Sequence, residues 1–319
     1  PVFYPTMEEF EDFERFIHTI QPLAINGGVA KVVPPKEWRE KLESETCKRH
    51  PAPLRDPIQL AELEAQRQQL LQKLNTMKRD EIAKARRRYN KGSIMDFRSV
   101  SQGAEPLDET ETAGSIVEKN YWNDIKRTRP TYGADILGSL FPPPEDFKYW
   151  NLQDLGTILS RVNVELAGIN DPYLYVGMYR ATFAWHTEDL DLYSINYVHY
   201  GSPKSWFAIP IKYCTKFEAF ARSKFPEKAD RCSEFMRHKT FHINPDVLEK
   251  AGIPVQRMVQ NAGEFVITFP RGYHAGFNQG FNVAEAVNFA MPEWVPIGAW
   301  AKFCLCQQDS VRIDVRQFF

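Results

Sequence analysis

Phe183-Ala-Trp-His186-Thr-Glu188-Asp-Leu-Asp-Leu-Tyr-Ser-Ile-Asn196-Tyr197 is the stretch around which the chain is read. His186 and Glu188 stand two apart, and side chains alternate along an extended strand, so the imidazole and the carboxylate project from one face. That is two-thirds of the two-histidine, one-carboxylate arrangement that holds Fe(II) and leaves its remaining positions open. A neighbouring strand has to bring the third donor. Gly272-Tyr-His274-Ala-Gly-Phe-Asn278 offers one, because His274 follows the apolar run 264–269 and the turn Pro270-Arg-Gly272. A histidine two residues from an acid also arises by chance in cores and on surfaces, so the metal reading depends on its surroundings.

The 319 residues allow one large domain or two modest ones, and a hydrophobic fraction of 43% with 25% charged residues is that of an ordinary globular protein. No apolar run reaches the roughly 18 residues of a membrane span, and Pro1-Val-Phe-Tyr4 has no signal-peptide layout. The absent initiator methionine reads as a core excised from a longer protein. A net charge of −1 argues neither for nor against nucleic acid. The basic cluster Lys84-Ala-Arg86-Arg-Arg88-Tyr-Asn-Lys91 reads either as a solvated helical face or as a nuclear-targeting or DNA-proximal element. Five cysteines, an odd number without a secretion signal, point to a reducing compartment.

Thr6-Met-Glu-Glu9 is a capping-box pattern that predicts a helix with Phe10, Phe13, Phe16, Ile17 and Ile20 on one apolar face. Residues 29–33 read as a short strand, and Pro34-Pro-Lys-Glu-Trp38 as the end of the unit. So short a segment cannot bury those aromatics alone and must dock on a larger body. Residues 57–88 predict a helix whose seam of Leu60, Leu63, Leu70, Leu74 and Met77 is interrupted by Arg67. Residues 92–115 read as a polar loop. Beyond Tyr121 the texture becomes β-rich: strands over 173–179, 193–200, 204–210, 264–269 and 281–290, a hairpin-type turn at Gly201-Ser-Pro203, and helices over 152–159, 213–225 and from Asn244 to Gly252. Short strands closing on a metal give a mainly β fold with helices, a double-stranded β-helix or jelly roll.

The N-terminal Met7-Glu-Glu-Phe10 and Val33-Pro-Pro-Lys-Glu-Trp38 resemble a JmjN segment. His186 to Tyr197, Pro203-Lys-Ser-Trp206 and Gly272 to Asn278 resemble a JmjC domain. The resemblance covers residues 1–40 and 121–308, and is to the JmjN/JmjC histone lysine demethylases of the trimethyl-lysine branch. It implies a JmjN segment at 1–40 and a JmjC catalytic domain with a C-terminal zinc-binding segment at 121–319; between them the composition reads as a helical and partly flexible linker at 41–120. It further implies Fe(II) on His186, Glu188 and His274, with 2-oxoglutarate as co-substrate. Lys204 heads the apolar strand 205–209, where an unpaired ammonium would be costly, so an anion is expected beside it. By similarity Tyr132 and Asn196 complete that pocket, with Phe183 and Trp206 as its apolar walls; alone, Tyr132 reads as an ordinary core tyrosine.

By the same resemblance Gly168, Tyr175, Glu188, Ala286 and Asn288 form the methylammonium site, and parity puts Ala286 and Asn288 on one strand face. Many relatives have Ser-Thr where this chain has Ala286-Val287. Cys232, His238, Cys304 and Cys306 suit four-coordinate Zn(II) by residue type, although Cys-X-Cys alone equally describes two buried thiols; the resemblance implies zinc. Lys239 then faces substrate or co-substrate. The implied activity is hydroxylation of N-methyl groups on tri- and dimethyl-lysine of histone H3, at lysine nine and/or thirty-six, releasing formaldehyde, succinate and CO2. The implied setting is nuclear chromatin, with no membrane and no sequence-specific nucleic-acid site. A protein hydroxylase on the same barrel and a non-catalytic chromatin scaffold are the competing readings.

Overall fold

The computed structural model describes residues 1–49, 113–125, 130, 132–161, 166, 169–306 and 313–318. The helix expected over 57–88, the basic cluster 84–91 and nearly all of the loop 92–115 lie outside them.

The capping box forms as expected: Glu9 N donates to the Thr6 hydroxyl at 3.3 Å and the Glu9 carboxylate accepts from Thr6 N at 2.8 Å. The single expected helix, however, is two, α1 (Met7–Phe10) and α2 (Phe13–Ala24). Asp12 is the reason, since its carboxylate accepts from Arg15 N at 3.0 Å and starts a second N-terminus. The apolar face survives the break: Phe10, Phe13, Phe16, Ile17 and Ile20 are all buried. Nor does Pro34-Pro35 end the unit. It opens α3 (Lys36–Arg49), which carries Trp38 into the core.

Eleven strands among the described residues form two sheets. The first has seven, in the order β1 (Val2–Phe3), β2 (Val29–Val32), β9 (Phe265–Thr268), β6 (Tyr193–Gly201), β11 (Asn282–Phe289), β4 (Tyr173–Gly177), β3 (Tyr132–Leu137). The second has four, β5 (Thr182–His186), β10 (His274–Asn278), β7 (Lys204–Ala208), β8 (Gln256–Gln260). The N-terminal segment thus docks by extending the larger sheet, with β2 antiparallel to β9. The architecture is the jelly-roll class expected. The turn at 201–203 is not a hairpin, because β6 pairs with β9 and β11 whereas β7 pairs with β8 and β10. It is the corner where the chain changes sheets. The helix expected over 152–159 is also absent: Asn151 and Asp154 bridge there, and only a 3-10 turn, Ile158–Arg161, follows. The side chain of Asn151 holds this turn, donating to the carbonyls of Pro142 at 2.7 Å and Phe147 at 2.8 Å.

Strand alternation sorts the interior. Tyr193, Ile195 and Tyr197 of β6 and Val287 and Phe289 of β11 join one apolar cluster with the N-terminal helices. Phe207 of β7 and Ala275 and Phe277 of β10 join a second cluster with the helix Cys214–Lys224. The even-numbered residues of the same strands, being on the opposite faces, turn towards the space between the sheets. At the centre of the first cluster Phe10 stacks on Trp150 at 4.1 Å and meets Trp38 edge-on at 5.5 Å. Phe10→Ala is therefore expected to cost about 3–5 kcal/mol, with incomplete collapse of the cavity. Urea unfolding measures it; a loss under about 1 kcal/mol would mean the N-terminal segment is not part of the cooperative core.

Candidate active site

Between the sheets lies a cavity of about 380 Å3. His186 ends β5, Glu188 follows in extended conformation (φ −65°, ψ 154°), and His274 opens β10 directly opposite His186 in register. The two imidazole rings lie 4.3 Å apart, and His274 Nε2 is 3.3 Å from Glu188 Oε1. One donor atom from each of the three residues falls within 4.8 Å of the others.

Each imidazole is oriented by the backbone. His186 Nδ1 lies 2.7 Å from the Ala184 carbonyl and His274 Nδ1 lies 2.9 Å from the Gly272 carbonyl. A carbonyl can only accept, so Nδ1 carries a proton in both rings and Nε2 is the nitrogen turned to the centre. Burial, with the charges of His274 and Lys239, pushes His186 down to about 3, so its ring is neutral at any ordinary pH. Glu188 is pulled the other way. Burial raises its pKa, but the hydrogen bond and charge of His274, with His186 and Lys239, outweigh burial and hold it below the usual carboxylate range. Two imidazoles and one carboxylate fit a divalent cation of intermediate softness.

Lys204, at the head of β7, is 2% exposed. Its Nζ donates to Asn278 Oδ1 at 2.8 Å and approaches the Tyr132 hydroxyl at 3.5 Å. No carboxylate pairs with it among the described residues, and burial lowers it to about 7. Phe183 packs edge-on against Trp206 at 4.8 Å, and the Phe183 ring lies where a Cβ on residue 276 would sit 2.4 Å from it, which is why Gly276 is needed there. Trp206 Nε1 is tied to Gln260 at 2.8 Å. Asn196 lines the same cavity, and its Oδ1 has no partner among the described residues.

Tyr175, Lys239, Ala286 and Asn288 also line the cavity. Asn288 Nδ2 donates to the Tyr193 carbonyl at 2.9 Å, a bond that leaves its oxygen uncommitted. Lys239 Nζ is 3.5 Å from Asp189 Oδ2. Gly168 falls outside the described residues.

The second cluster assembles beside the cavity, which Cys304 also lines. Cys232 Sγ is 3.5 Å from Cys304 Sγ, and His238 Nε2 is 3.1 Å from both Cys304 Sγ and Cys306 Sγ. Burial and the neighbouring sulfur of Cys304 push Cys232 up, while Cys304 and burial push Cys306 up to about 12. Crowded thiols that resist ionisation are what a bound cation reverses.

Asn278 and Arg237 were not foreseen from the sequence. Asn278 shares β10's inward parity with His274, so the reasoning that paired His186 with Glu188 could have found it. Arg237 donates to the Glu188 carbonyl at 3.1 Å from a loop whose position no periodicity reveals.

Residues 173–289 match the family described as "JmjC domain, hydroxylase", and residues 1–34 match the jmjN domain. The chain is 40% identical over 321 residues to the human "Probable lysine-specific demethylase 4F", an alignment covering 99% of this chain and 48% of that protein. It is 40% identical over 323 residues to the mouse "Lysine-specific demethylase 4B", covering 99% and 28%, and 38% identical over 322 residues to the rat "Lysine-specific demethylase 4D", covering 99% and 60%. It therefore spans between 28% and 60% of the length of these relatives.

Proposed function

The chain belongs to the JmjN/JmjC family, and on that premise we propose that it is an Fe(II)- and 2-oxoglutarate-dependent demethylase acting on tri- and dimethyl-lysine of histone H3, at lysine nine and/or thirty-six. One observation carries the reading: a two-histidine, one-carboxylate triad and a buried lysine without a carboxylate partner among the described residues open onto the same cavity. The relatives' names, which specify lysine demethylation, support it.

His186, Glu188 and His274 would hold the iron. Bound there with 2-oxoglutarate, it supplies dioxygen-dependent hydroxylation of an N-methyl carbon, which yields formaldehyde, succinate, CO2 and the less methylated lysine. Lys204 meets the distal carboxylate of 2-oxoglutarate as the anion its burial calls for, with the Tyr132 hydroxyl beside it. A half turn of the Asn196 amide puts its two donors where its unpartnered oxygen now points. Phe183 and Trp206 keep water from the chain of the co-substrate. Tyr175, Asn288 and the Glu188 carboxylate give the methylammonium group polarisable oxygens for weak C–H contacts, with Gly168 and Lys239 proposed as further contributors. Ala286 supplies a methyl group to the lining, where a serine would supply a hydroxyl acceptor.

Mass spectrometry of H3 peptides trimethylated at lysine nine or thirty-six, incubated with the protein, Fe(II), ascorbate and 2-oxoglutarate, tests the proposal. Losses of about 14 Da per methyl group that require 2-oxoglutarate are expected. A gain of one oxygen without loss would turn the assignment to a protein hydroxylase; no change, with neither iron nor 2-oxoglutarate bound, would leave the scaffold reading. Such an activity places the protein in the nucleus on chromatin. Among the described residues no helix is long and apolar enough to cross a membrane.

Cys232, His238, Cys304 and Cys306 are proposed as a structural Zn(II) site that ties the C-terminal segment to the body. Cys306→Ser is expected to lower bound zinc well below one ion per chain and to lower the melting temperature, read by inorganic mass spectrometry and a thermal melt. Full zinc content in that variant would remove Cys306 from the ligand set.

A further inference from the structure

The loop that carries Glu188 is held in a backbone conformation its residues do not favour. Leu190 and Asp191 have φ of 55° and 52°, two consecutive non-glycine residues in the left-handed region. Such a conformation persists only where its surroundings impose it. On one side Leu190 is buried in the apolar core, and its carbonyl accepts from Trp294 Nε1 at 2.9 Å. On the other side stands Arg237.

One guanidinium spans the loop. Its NH2 donates to Asp191 Oδ1 at 2.7 Å and its NH1 to the Glu188 carbonyl at 3.1 Å. The two side chains are 11% and 8% exposed, so solvent and salt screen the pair little. Arg237 also belongs to the 3-10 turn Phe235–His238, one residue before His238 and a few after Cys232, so it sits in the segment that links two members of the cysteine–histidine cluster. Asp191 Oδ2 lies 3.6 Å from Arg271 Nε, in the turn that precedes His274; that arginine is half exposed and the tether correspondingly weaker. A planar, five-donor group fixes two acceptors at set angles in a way an ammonium cannot.

We propose that Arg237 is a positioning residue for the metal triad: by pinning the Glu188 carbonyl and the Asp191 carboxylate it sets the direction of the Glu188 carboxylate, and it thereby makes metal affinity at the triad depend on the Cys232–His238 segment. The inference rests on the reading of His186, Glu188 and His274 as a metal site. It assigns Arg237 no contact with substrate or metal.

Calorimetric titration with Mn(II), a redox-quiet stand-in for Fe(II), tests it on zinc-replete protein, with zinc content followed by inorganic mass spectrometry. Arg237→Ala is expected to weaken Mn(II) binding by about 10- to 100-fold, the range typical of outer partners of a metal ligand, with zinc content unchanged. Arg237→Lys, which keeps the charge but reaches only one acceptor, and Asp191→Asn, which keeps the shape, should fall in between. They carry the test if circular dichroism shows Arg237→Ala unfolded. Variants that melt lower yet bind Mn(II) like the parent would overturn the positioning role and leave the triad reading intact. Failure of the parent itself to bind Mn(II), matched by its His186→Ala variant, would overturn the triad reading and this inference with it.

Discussion

His186→Ala is expected to abolish 2-oxoglutarate-dependent demethylation, to less than about one-hundredth of the parent rate, while the zinc content of the protein stays the same. Loss of an outer partner typically costs 10- to 100-fold, so loss of one of three donors has to cost more. The geometry offers no substitute, because among the described residues only His186, Glu188 and His274 bring ligand atoms together at this point. The other cluster uses Cys232, His238, Cys304 and Cys306, none of which the substitution touches. Its ring is already neutral, being pushed down to about 3, so removing it takes away a lone pair and not a charge. Folding should therefore suffer only the loss of a buried ring and of its bond to the Ala184 carbonyl. Peptide mass spectrometry together with metal analysis separates the two outcomes, and persistent demethylation by this variant would end the assignment of iron to the triad.

Much of this was legible because the chemistry lies on strands, and strands have a period of two. His274 and Asn278, Ser194 and Asn196, and Ala286 and Asn288 alternate with apolar residues that face the two outer clusters, and Lys204 and Trp206 share a face opposite Phe207. The sequence shows this as an apolar–polar rhythm, and it locates the inward faces without any coordinates. What local rhythm does not contain is which strand lies beside which. Gly201-Ser-Pro203 has the composition of a hairpin turn, yet β6 and β7 belong to different sheets, since pairing is settled by distant partners such as β9 and β10. The N-terminal helix looked continuous because its apolar positions stay in phase across Glu11 and Asp12; the break comes from a side-chain cap, a single 3.0 Å bond. The helix expected over 152–159 failed for a related reason, as Asn151 satisfies carbonyls of the preceding loop and the segment after it makes a turn. Arg237 escaped notice because a cation in a loop is most often a solvated one, and only the fold brings it under Glu188.

Lys204→Met is expected to change two properties in opposite directions. 2-Oxoglutarate affinity should fall by about 100-fold or more, because breaking one side of a buried charge pair costs about 3–5 kcal/mol and every 1.4 kcal/mol is tenfold. The co-substrate-free protein should become more stable. The parent buries an ammonium whose pKa is lowered from 10.5 to about 7 by desolvation. A lysine depressed in this way binds fewer protons folded than unfolded between those two values, so the parent's stability rises as pH climbs from about 7 towards 10.5 and is flat below about 7. At pH 7 and below the penalty is on the order of 4–5 kcal/mol. Methionine removes it and leaves Asn278 Oδ1 without its donor, which returns about 1–3 kcal/mol. The net sign favours the variant, and its stability should lose the rise above pH 7. Binding reverses the parent's shift, since a carboxylate beside Nζ restores the ammonium. 2-Oxoglutarate should therefore bind the parent with uptake of a proton and weaken progressively above about pH 7, by up to tenfold per pH unit. The weak residual binding of Lys204→Met should lack that slope. Calorimetric titration of 2-oxoglutarate across pH 6.5–8.5, in buffers of different ionisation enthalpy, counts the proton directly. Equal affinity in parent and variant would place the co-substrate's distal carboxylate elsewhere. A lost affinity without proton uptake would mean that Lys204 stays charged in the empty cavity, through solvent that reaches it there.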